Sequence, residues 1–210
     1  SIANIDSCII TTSTKSPKLD LNLLDKLLCL NIYNNIKPII CFTKLDLLNK
    51  QEKKEIKKLI KYYNKIGVRT LTNLKIRKIT KEIKNKTVVL TGQSGSGKST
   101  LLNKLNKNLN LATNPISKAL GRGVHTTRHV ELFKYKTSLI ADTPGFSSLT
   151  IDHITKEEVK KTFIEFNLNC EYQDCYHLKE PNCEVKKSVD QNKILKSRYK
   201  NYKKFIEVVK

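Results

Sequence analysis

The sequence predicts an α/β fold: a parallel sheet with helices on its faces, followed by a small helical metal-binding domain. Three observations predict it. Short β-branched, apolar runs alternate with stretches of helical period up to about residue 150, a glycine-rich loop joins one such run to a helix, and three cysteines and a histidine crowd into a polar stretch beyond residue 151. Strands alternating with helices demand parallel pairing with both sheet faces covered.

Residues 5–10 (IDSCII) read as a first strand, and Asp20 caps a helix that carries Leu23, Leu24, Leu27 and Leu28 at helical spacing. Pro38-Ile39-Ile40-Cys41-Phe42 is a second buried strand, running straight into Thr43-Lys44-Leu45-Asp46. A lysine-rich amphipathic helix follows, with Ile56, Leu59, Ile60 and Tyr63 on its apolar side. Val68-Arg69-Thr70 reads as the end of another strand, and Ile76, Ile79 and Ile83 mark a further helix. Thr87-Val88-Val89-Leu90 is the next strand, Gly92-Gln93-Ser94-Gly95-Ser96-Gly97 a tight loop, and Lys98-Ser99-Thr100 the opening of a helix with Leu101, Leu102 and Leu105 inside. Residues 112–128 form a long irregular stretch, a length associated with functional loops. Two short strands are expected at 130–135 and 137–141, the second ending in Asp142-Thr143-Pro144-Gly145-Phe146. Thr155-Lys156-Glu157-Glu158 is a capping box opening a helix with Val159, Phe163 and Phe166; Ser188-Val189-Asp190-Gln191 is a second, opening a terminal helix with Leu195, Tyr199, Tyr202 and Ile206. The expected boundary puts a nucleotide domain at 1–150 and a helical metal domain at 151–210.

Forty Lys+Arg against nineteen Asp+Glu give the 210 residues a formal charge of +21, which favours a polyanionic partner such as nucleic acid. The chain is also crowded with Lys, Asn and Ile, whose codons are AT-rich, so part of that charge reflects genome composition. No run of about 18 apolar residues is present, so no membrane span is expected, and no basic-then-apolar secretory signal opens the chain. The absence of methionine leads to the expectation of a longer parent chain. Cys8, Cys29 and Cys41 lie within apolar runs and read as core thiols.

The chemistry concentrates in residues 92–99, G-x-x-x-x-G-K-[ST] in a strand–loop–helix setting. Glycines let the backbone approach a phosphate and turn successive N–H groups inward, and the helix N-terminus adds its dipole. Lys98 would lie along the β- and γ-phosphates, and Ser99 would ligate Mg²⁺. A phosphate loop alone fits ATPases, nucleotide kinases and GTPases. Two further pieces choose among them. In D-x-x-G, Asp142 supplies a carboxylate to Mg²⁺ and Gly145 an N–H to the γ-phosphate. In the tetrad Thr43–Lys44–Leu45–Asp46, the carboxylate of Asp46 can accept from guanine N1–H and N2–H, a donor pair that adenine lacks. The bound nucleotide is thus expected to be GTP or GDP.

The order is unusual, because the tetrad precedes the phosphate loop. A break moved to a surface loop keeps sheet and site intact, since termini lie at the surface and often close together. With ANID near the start, TKLD, GQSGSGKST, GRGVHTT, DTPGF, the Cys/His cluster and SRYKNY in the last helix, the chain resembles the ribosome-small-subunit-dependent GTPase A family. That resemblance implies a P-loop GTPase sheet in circularly permuted order with a small helical zinc-binding C-terminal domain. It further implies GTP hydrolysis stimulated by the small ribosomal subunit, late in that subunit's assembly, by a cytoplasmic monomer contacting rRNA. Three departures accompany it. The usual first tetrad Asn is Thr43, the Ser-Ser or Ser-Ala segment backing the base is Arg69-Thr70, and the N-terminal oligonucleotide-binding (OB-fold) barrel of the family is expected to be absent. Phe146 stands where many GTPases place a water-orienting Gln. His125 is therefore the candidate for that role, against a plain surface histidine, with Thr126 or Thr127 closing on Mg²⁺.

Cys170-x4-Cys175-x-His177-x5-Cys183 offers the four ligands of a closed, structural Zn²⁺ site. Disulfides are the competing reading, disfavoured in a reducing cytosol; the resemblance points to zinc. Lys193, Lys196, Arg198, Lys200, Lys203 and Lys204 interleave with Tyr199 and Tyr202, either as an rRNA-facing stripe or as a solvated face with tyrosines packed inward. Two other functions stay open: a nucleotide-gated rRNA-binding module with little hydrolysis, and an ATP-dependent kinase.

Overall fold

The computed structural model describes residues 4–106, 131–142 and 150–209. The chain forms two compact units. One holds Ser1–Leu19 and Ile36–Ser148, the other Asp20–Asn35 and Leu149–Lys210.

In the first unit, strands β1 (Ser7–Ser13), β2 (Lys37–Thr43), β3 (Arg69–Thr72), β4 (Thr87–Gly92), β5 (Glu131–Tyr135) and β6 (Ser138–Asp142) build one six-stranded sheet. Its order is β3-β2-β1-β4-β6-β5. Every neighbouring pair is parallel except the β5–β6 hairpin. Sequence order runs away from β1 in both directions, so the switch point lies between β1 and β4, where α/β sheets bind ligands at the strands' carboxyl ends. Ile9, Ile39, Cys41, Val88, Leu90 and Ile140 from the strands pack with Ile79, Ile83, Leu101, Leu102 and Leu105. These belong to helices α3 (Ile76–Ile83) and α4 (Lys98–Leu105). Helix α2 (Lys50–Lys65) starts at a capping box, Asn49 with Glu52, and buries Ile56 and Tyr63.

β1 starts later than its apolar pattern suggests and runs on through Thr11, Thr12 and Ser13, all buried. A polar residue stays in a buried strand when its hydroxyl finds a partner. Thr11 Oγ1 donates to Thr91 O at 2.9 Å, and Ser13 Oγ to Lys15 O at 2.7 Å.

The second unit contains α1 (Leu21–Tyr33), α5 (Lys156–Thr162), α6 (Glu184–Asp190) and α7 (Lys196–Val208). The sequence reading set α1 in the first domain, whereas its Cys29 and Leu30 pack in one core with Val159, Phe163, Phe166, Val185, Tyr202 and Phe205. A leucine stripe reports that a helix is buried, not against what. Asp20 caps α1 as expected, accepting from Asn22 N and Leu23 N. α5 ends at Thr162, and Phe166 reaches the core from a following 3-10 turn, Ile164–Phe166. The second expected capping box is not a helix start. Ser188 lies inside α6, its carbonyl accepts from Lys193 N and Ile194 N, and the terminal helix begins at Lys196. The reason is Asn192, whose left-handed φ of 56° ends the first helix and separates the two.

Candidate functional site

The glycine-rich loop leaves β4 at Gly92, whose φ of 146° and surroundings admit no side chain. A Cβ there would lie 2.2 Å from Thr11 O and 2.5 Å from Thr11 Oγ1. The loop turns through Ser96 N donating to Gln93 O, then passes a left-handed Gly97 into α4. Ser96 is fully buried, with its Oγ 2.8 Å from Thr11 Oγ1. Gln93 and Ser94 are exposed, Gly95 and Ser99 half-buried, and Thr100 exposed at the first turn of α4. Lys98 folds back over the loop and donates from Nζ to Gly92 O at 2.8 Å and Gln93 O at 3.4 Å. Leu101 N makes the first intrahelical bond, to Gly97 O; the N–H groups before it have no partner within the helix and suit an anion.

Thr43 is the last residue of β2, fully buried, and its Oγ1 donates to Ser96 O at 2.6 Å. Its own carbonyl accepts from Thr14 N and Thr14 Oγ1 at 3.2 and 2.8 Å. The first tetrad residue thereby touches the phosphate loop across 53 positions of sequence, and threonine here serves as a brace despite departing from asparagine. Lys44 takes a left-handed conformation at φ 59° and donates to Ser16 O. Leu45 and Asp46 then enter a single 3-10 turn, Leu45–Leu47, with Leu45 half-buried and Asp46 exposed.

Arg69 and Thr70 need correction. They open β3, at register with Ile39 and Ile40, and so lie away from the carboxyl end where a base would be backed. Arg69 Nε pairs with Glu82 Oε2 at 3.1 Å, and Thr70 N donates to Asn64 Oδ1 at 3.1 Å, both serving the fold. The carboxyl end belongs to Thr72 and Asn73. Asn73 N donates to Phe42 O, one residue before Thr43, while the buried Asn73 Oδ1 has no partner. The strand thus runs two residues past the Thr70 at which its pattern is expected to end; the signal for Asn73 is its place just past an apolar run.

Asp142 ends β6 in register with Leu90 of β4, at the same edge of the sheet as Gly92. His125, Thr126, Thr127 and Gly145 lie outside the described residues.

In the second unit, one donor atom from each of Cys170, Cys175, His177 and Cys183 lies within 4.8 Å of the others. His177 Nδ1 is 3.6, 3.4 and 3.4 Å from the sulfurs of Cys170, Cys175 and Cys183, and the Cys170 and Cys183 sulfurs are 3.9 Å apart. A tetrahedron with Zn–S of about 2.3 Å and Zn–N of about 2.0 Å has S···S edges of about 3.8 Å and S···N edges of about 3.5 Å. The donor set is therefore compatible with a zinc ion, and against the disulfide reading all three cysteines are free. Burial pushes His177 down to about 4, with the Lys160 charge adding to it, so the imidazole is neutral as a ligand must be. Burial first, then the neighbouring Cys183 and Cys170 sulfurs, pushes the Cys175 thiol up to about 12; a divalent cation among the four donors would invert that balance.

The loop is held from outside. Glu180 accepts from Tyr176 N at 2.7 Å and Leu178 N at 2.6 Å. From α7, Tyr199 Oη donates to His177 O and Tyr202 Oη to Tyr176 O, each at 2.7 Å. Arg198 is buried and belongs to no RNA-facing stripe. It pairs with Asp25 at 2.9 Å and with both oxygens of Glu165 at 2.7 and 2.9 Å, above the Phe163 ring. Lys193, Lys196, Lys200, Lys203 and Lys204 remain exposed.

Comparison with known proteins agrees with this geometry. The family profile described as RsgA GTPase matches residues 1–152. A protein of Bacillus velezensis named "Small ribosomal subunit biogenesis GTPase RsgA" is 44% identical over 218 residues, covering 100% of this chain and 74% of the relative. The crystal structure of YjeQ from Thermotoga maritima superposes with a TM-score of 0.81 at 31% identity, over 99% of this chain and 72% of the other. That of YloQ, described as a circularly permuted GTPase, gives 0.79 at 35% identity, over 97% and 68%.

Proposed function

The chain belongs to the RsgA GTPase family, and from that premise we infer that it hydrolyses GTP to GDP and phosphate as a biogenesis factor of the small ribosomal subunit. The observation that carries the reading is the 2.6 Å bond from Thr43 to Ser96 O. It joins the segment that reads the purine to the loop that grips the phosphates, so one guanosine triphosphate can engage both.

In this reading Gly92–Thr100 cradles the phosphates through main-chain N–H groups. Lys98 exchanges its carbonyl contacts for the β- and γ-phosphate oxygens, and Asp46 accepts from the guanine edge. Ser99 and Asp142 would hold Mg²⁺, which when bound would supply charge neutralisation at the phosphoryl oxygens. Cys170, Cys175, His177 and Cys183 hold one structural Zn²⁺ that fixes a loop with little apolar content of its own. The partner is the small subunit and its rRNA, met by a monomer in the cytoplasm. Among the described residues, no helix is long and apolar enough to cross a membrane.

The test is GTP turnover by the wild type and by His125→Ala, with and without purified small subunits, alongside competition of ATP against GTP for binding. Expected is GTP preference, stimulation by subunits, and loss of that stimulation in the variant with nucleotide affinity kept. Binding without turnover under any condition would replace the enzyme by a nucleotide-gated RNA-binding module, and unaltered turnover in the variant would remove His125 from the mechanism.

A further inference from the structure

The nucleotide cradle occupies the carboxyl edge of the sheet. At the opposite edge lies a groove of about 390 Å³, lined by Arg77, Thr80, Lys81 and Lys84 of the α3 segment and by Tyr135, Lys136, Thr137 and Ser138 of the β5–β6 turn. Its volume falls in the roughly 300–1,000 Å³ range of ligand sites, yet its chemistry is unlike an apolar pocket. Among the described residues, four of the eight that line it are cationic, the other four carry hydroxyls, and none is a carboxylate.

The arrangement follows from the sequence. Ile76, Ile79 and Ile83 turn one side of α3 into the sheet core. Arg77, Lys81 and Lys84, at i, i+4 and i+7, therefore share the solvent side, and all three are exposed. The acid of this helix, Glu82, is taken by Arg69 at 3.1 Å. Lys136 enters from the turn in a left-handed conformation at φ 53°. The floor is fixed at two points, Ser138 Oγ donating to Ile83 O at 2.7 Å and Thr80 Oγ1 lying 3.2 Å from Tyr135 Oη. Holding four like charges around one concavity is electrostatically unfavourable unless an anion offsets them. Guanidinium, ammonium and hydroxyl groups together are the set that contacts phosphate oxygens in nucleic-acid complexes.

We propose that this groove is a second polyanion site, which takes the phosphodiester backbone of RNA while the nucleotide cradle is occupied. It rests on the small-subunit reading only for the identity of the RNA. Because the groove and the cradle stand at opposite edges of one sheet, RNA held here leaves the nucleotide free to enter and depart.

The experiment compares two fourfold charge removals by fluorescence anisotropy across a KCl series. One is Arg77→Gln/Lys81→Gln/Lys84→Gln/Lys136→Gln in the groove. The other is Lys53→Gln/Lys54→Gln/Lys57→Gln/Lys61→Gln on the exposed face of α2. The first probe is a 20-nucleotide oligouridylate, the second purified small subunits, with GTP affinity and thermal melts confirming that both variants fold. Expected for the groove variant is a loss of about tenfold or more in oligonucleotide affinity, with a salt slope shallower by about 3, at about 0.7 per lost single-strand contact. The α2 variant should lose clearly less. Equal losses in the two variants, or none in the groove variant, overturn the proposal. It is overturned too if the groove variant loses subunits but keeps the oligonucleotide, since the occupant is then an acidic protein. If the wild type binds the oligonucleotide through the groove but not the subunits, the groove stands and the small-subunit reading fails.

Discussion

The larger unit keeps its site open and the smaller one keeps its own closed. Around the phosphate loop, the buried hydroxyls of Thr11 and Thr43 hold main chain in place, and Ser96 Oγ meets Thr11 Oγ1. Gln93 and Ser94 of the loop stay exposed to solvent. Around the Cys/His cluster every support points inward: two tyrosine hydroxyls cap loop carbonyls, Glu180 ties two N–H groups, and Arg198 is clamped between Asp25 and Glu165. The difference follows from how each unit is built. A six-stranded sheet with a continuous aliphatic core can hold a left-handed glycine loop at its edge by packing alone. The smaller unit has no sheet among its described residues, and small units of this kind depend on metal or other cross-links. Its core is aromatic, with Phe163, Phe166 and Tyr202 rings 4.9–5.1 Å apart, and its buried ions complete the frame.

That contrast can be broken most sharply at the metal. Cys175→Ser, or chelation of the wild type, should unfold the smaller unit, given about 10–16 kcal/mol of apparent zinc binding in small zinc domains. GTP affinity should change far less. Elemental analysis should find one zinc per chain, and an undiminished helical signal in metal-free protein would end the structural-zinc reading. Next in size, Arg198→Ala takes the guanidinium away from the buried Asp25 and Glu165 carboxylates, with Asp25 keeping its bond from Asn201 Nδ2, and should cost about 3–5 kcal/mol in denaturant melts. Arg198→Lys should recover little of it, because an ammonium cannot span Asp25 and both Glu165 oxygens. In the larger unit, Thr43→Val keeps the shape but strips Ser96 O of its donor. A loss of about 1–3 kcal/mol in stability is expected, together with weaker GTP binding by titration; unchanged affinity would mean that the brace is dispensable.

The smallest effect is pH-dependent. Hydrogen bonds from the backbone N–H and then the hydroxyl of Thr155 hold the Glu158 carboxyl below its ordinary value of 4.5. A depressed carboxylate stabilises the fold above that ordinary value and loses its contribution as pH falls through the depressed one. The melting difference between wild type and Glu158→Gln should therefore be present at neutral pH and close in acid below 4.5.

Much of this was legible beforehand. The glycine loop, the tetrad at a strand end, the close grouping of Cys170, Cys175, His177 and Cys183, and the Asp20 and Thr155 caps are local signals, written within a few residues by turn chemistry and ligand spacing. Arg69 and Thr70 were misplaced because a short strand's period shows that it exists but not where it stops. Ser188 was misread because a capping-box pattern also fits a helix interior. Arg198 looked like part of a basic stripe, since a charge carries no mark of whether it is buried.

By itself the sequence determined the glycine-rich loop, the tetrad and the Cys/His cluster, because such patterns need particular side chains at short spacing. Only the tertiary structure decided which distant segments meet. Thr43 reaches Ser96, Arg198 reaches Asp25, α1 joins the unit that holds the Cys/His cluster, and α3 meets the β5–β6 turn to make a cationic groove. Such pairings depend on strand order and on what a buried face packs against, and neither leaves a local trace in the chain.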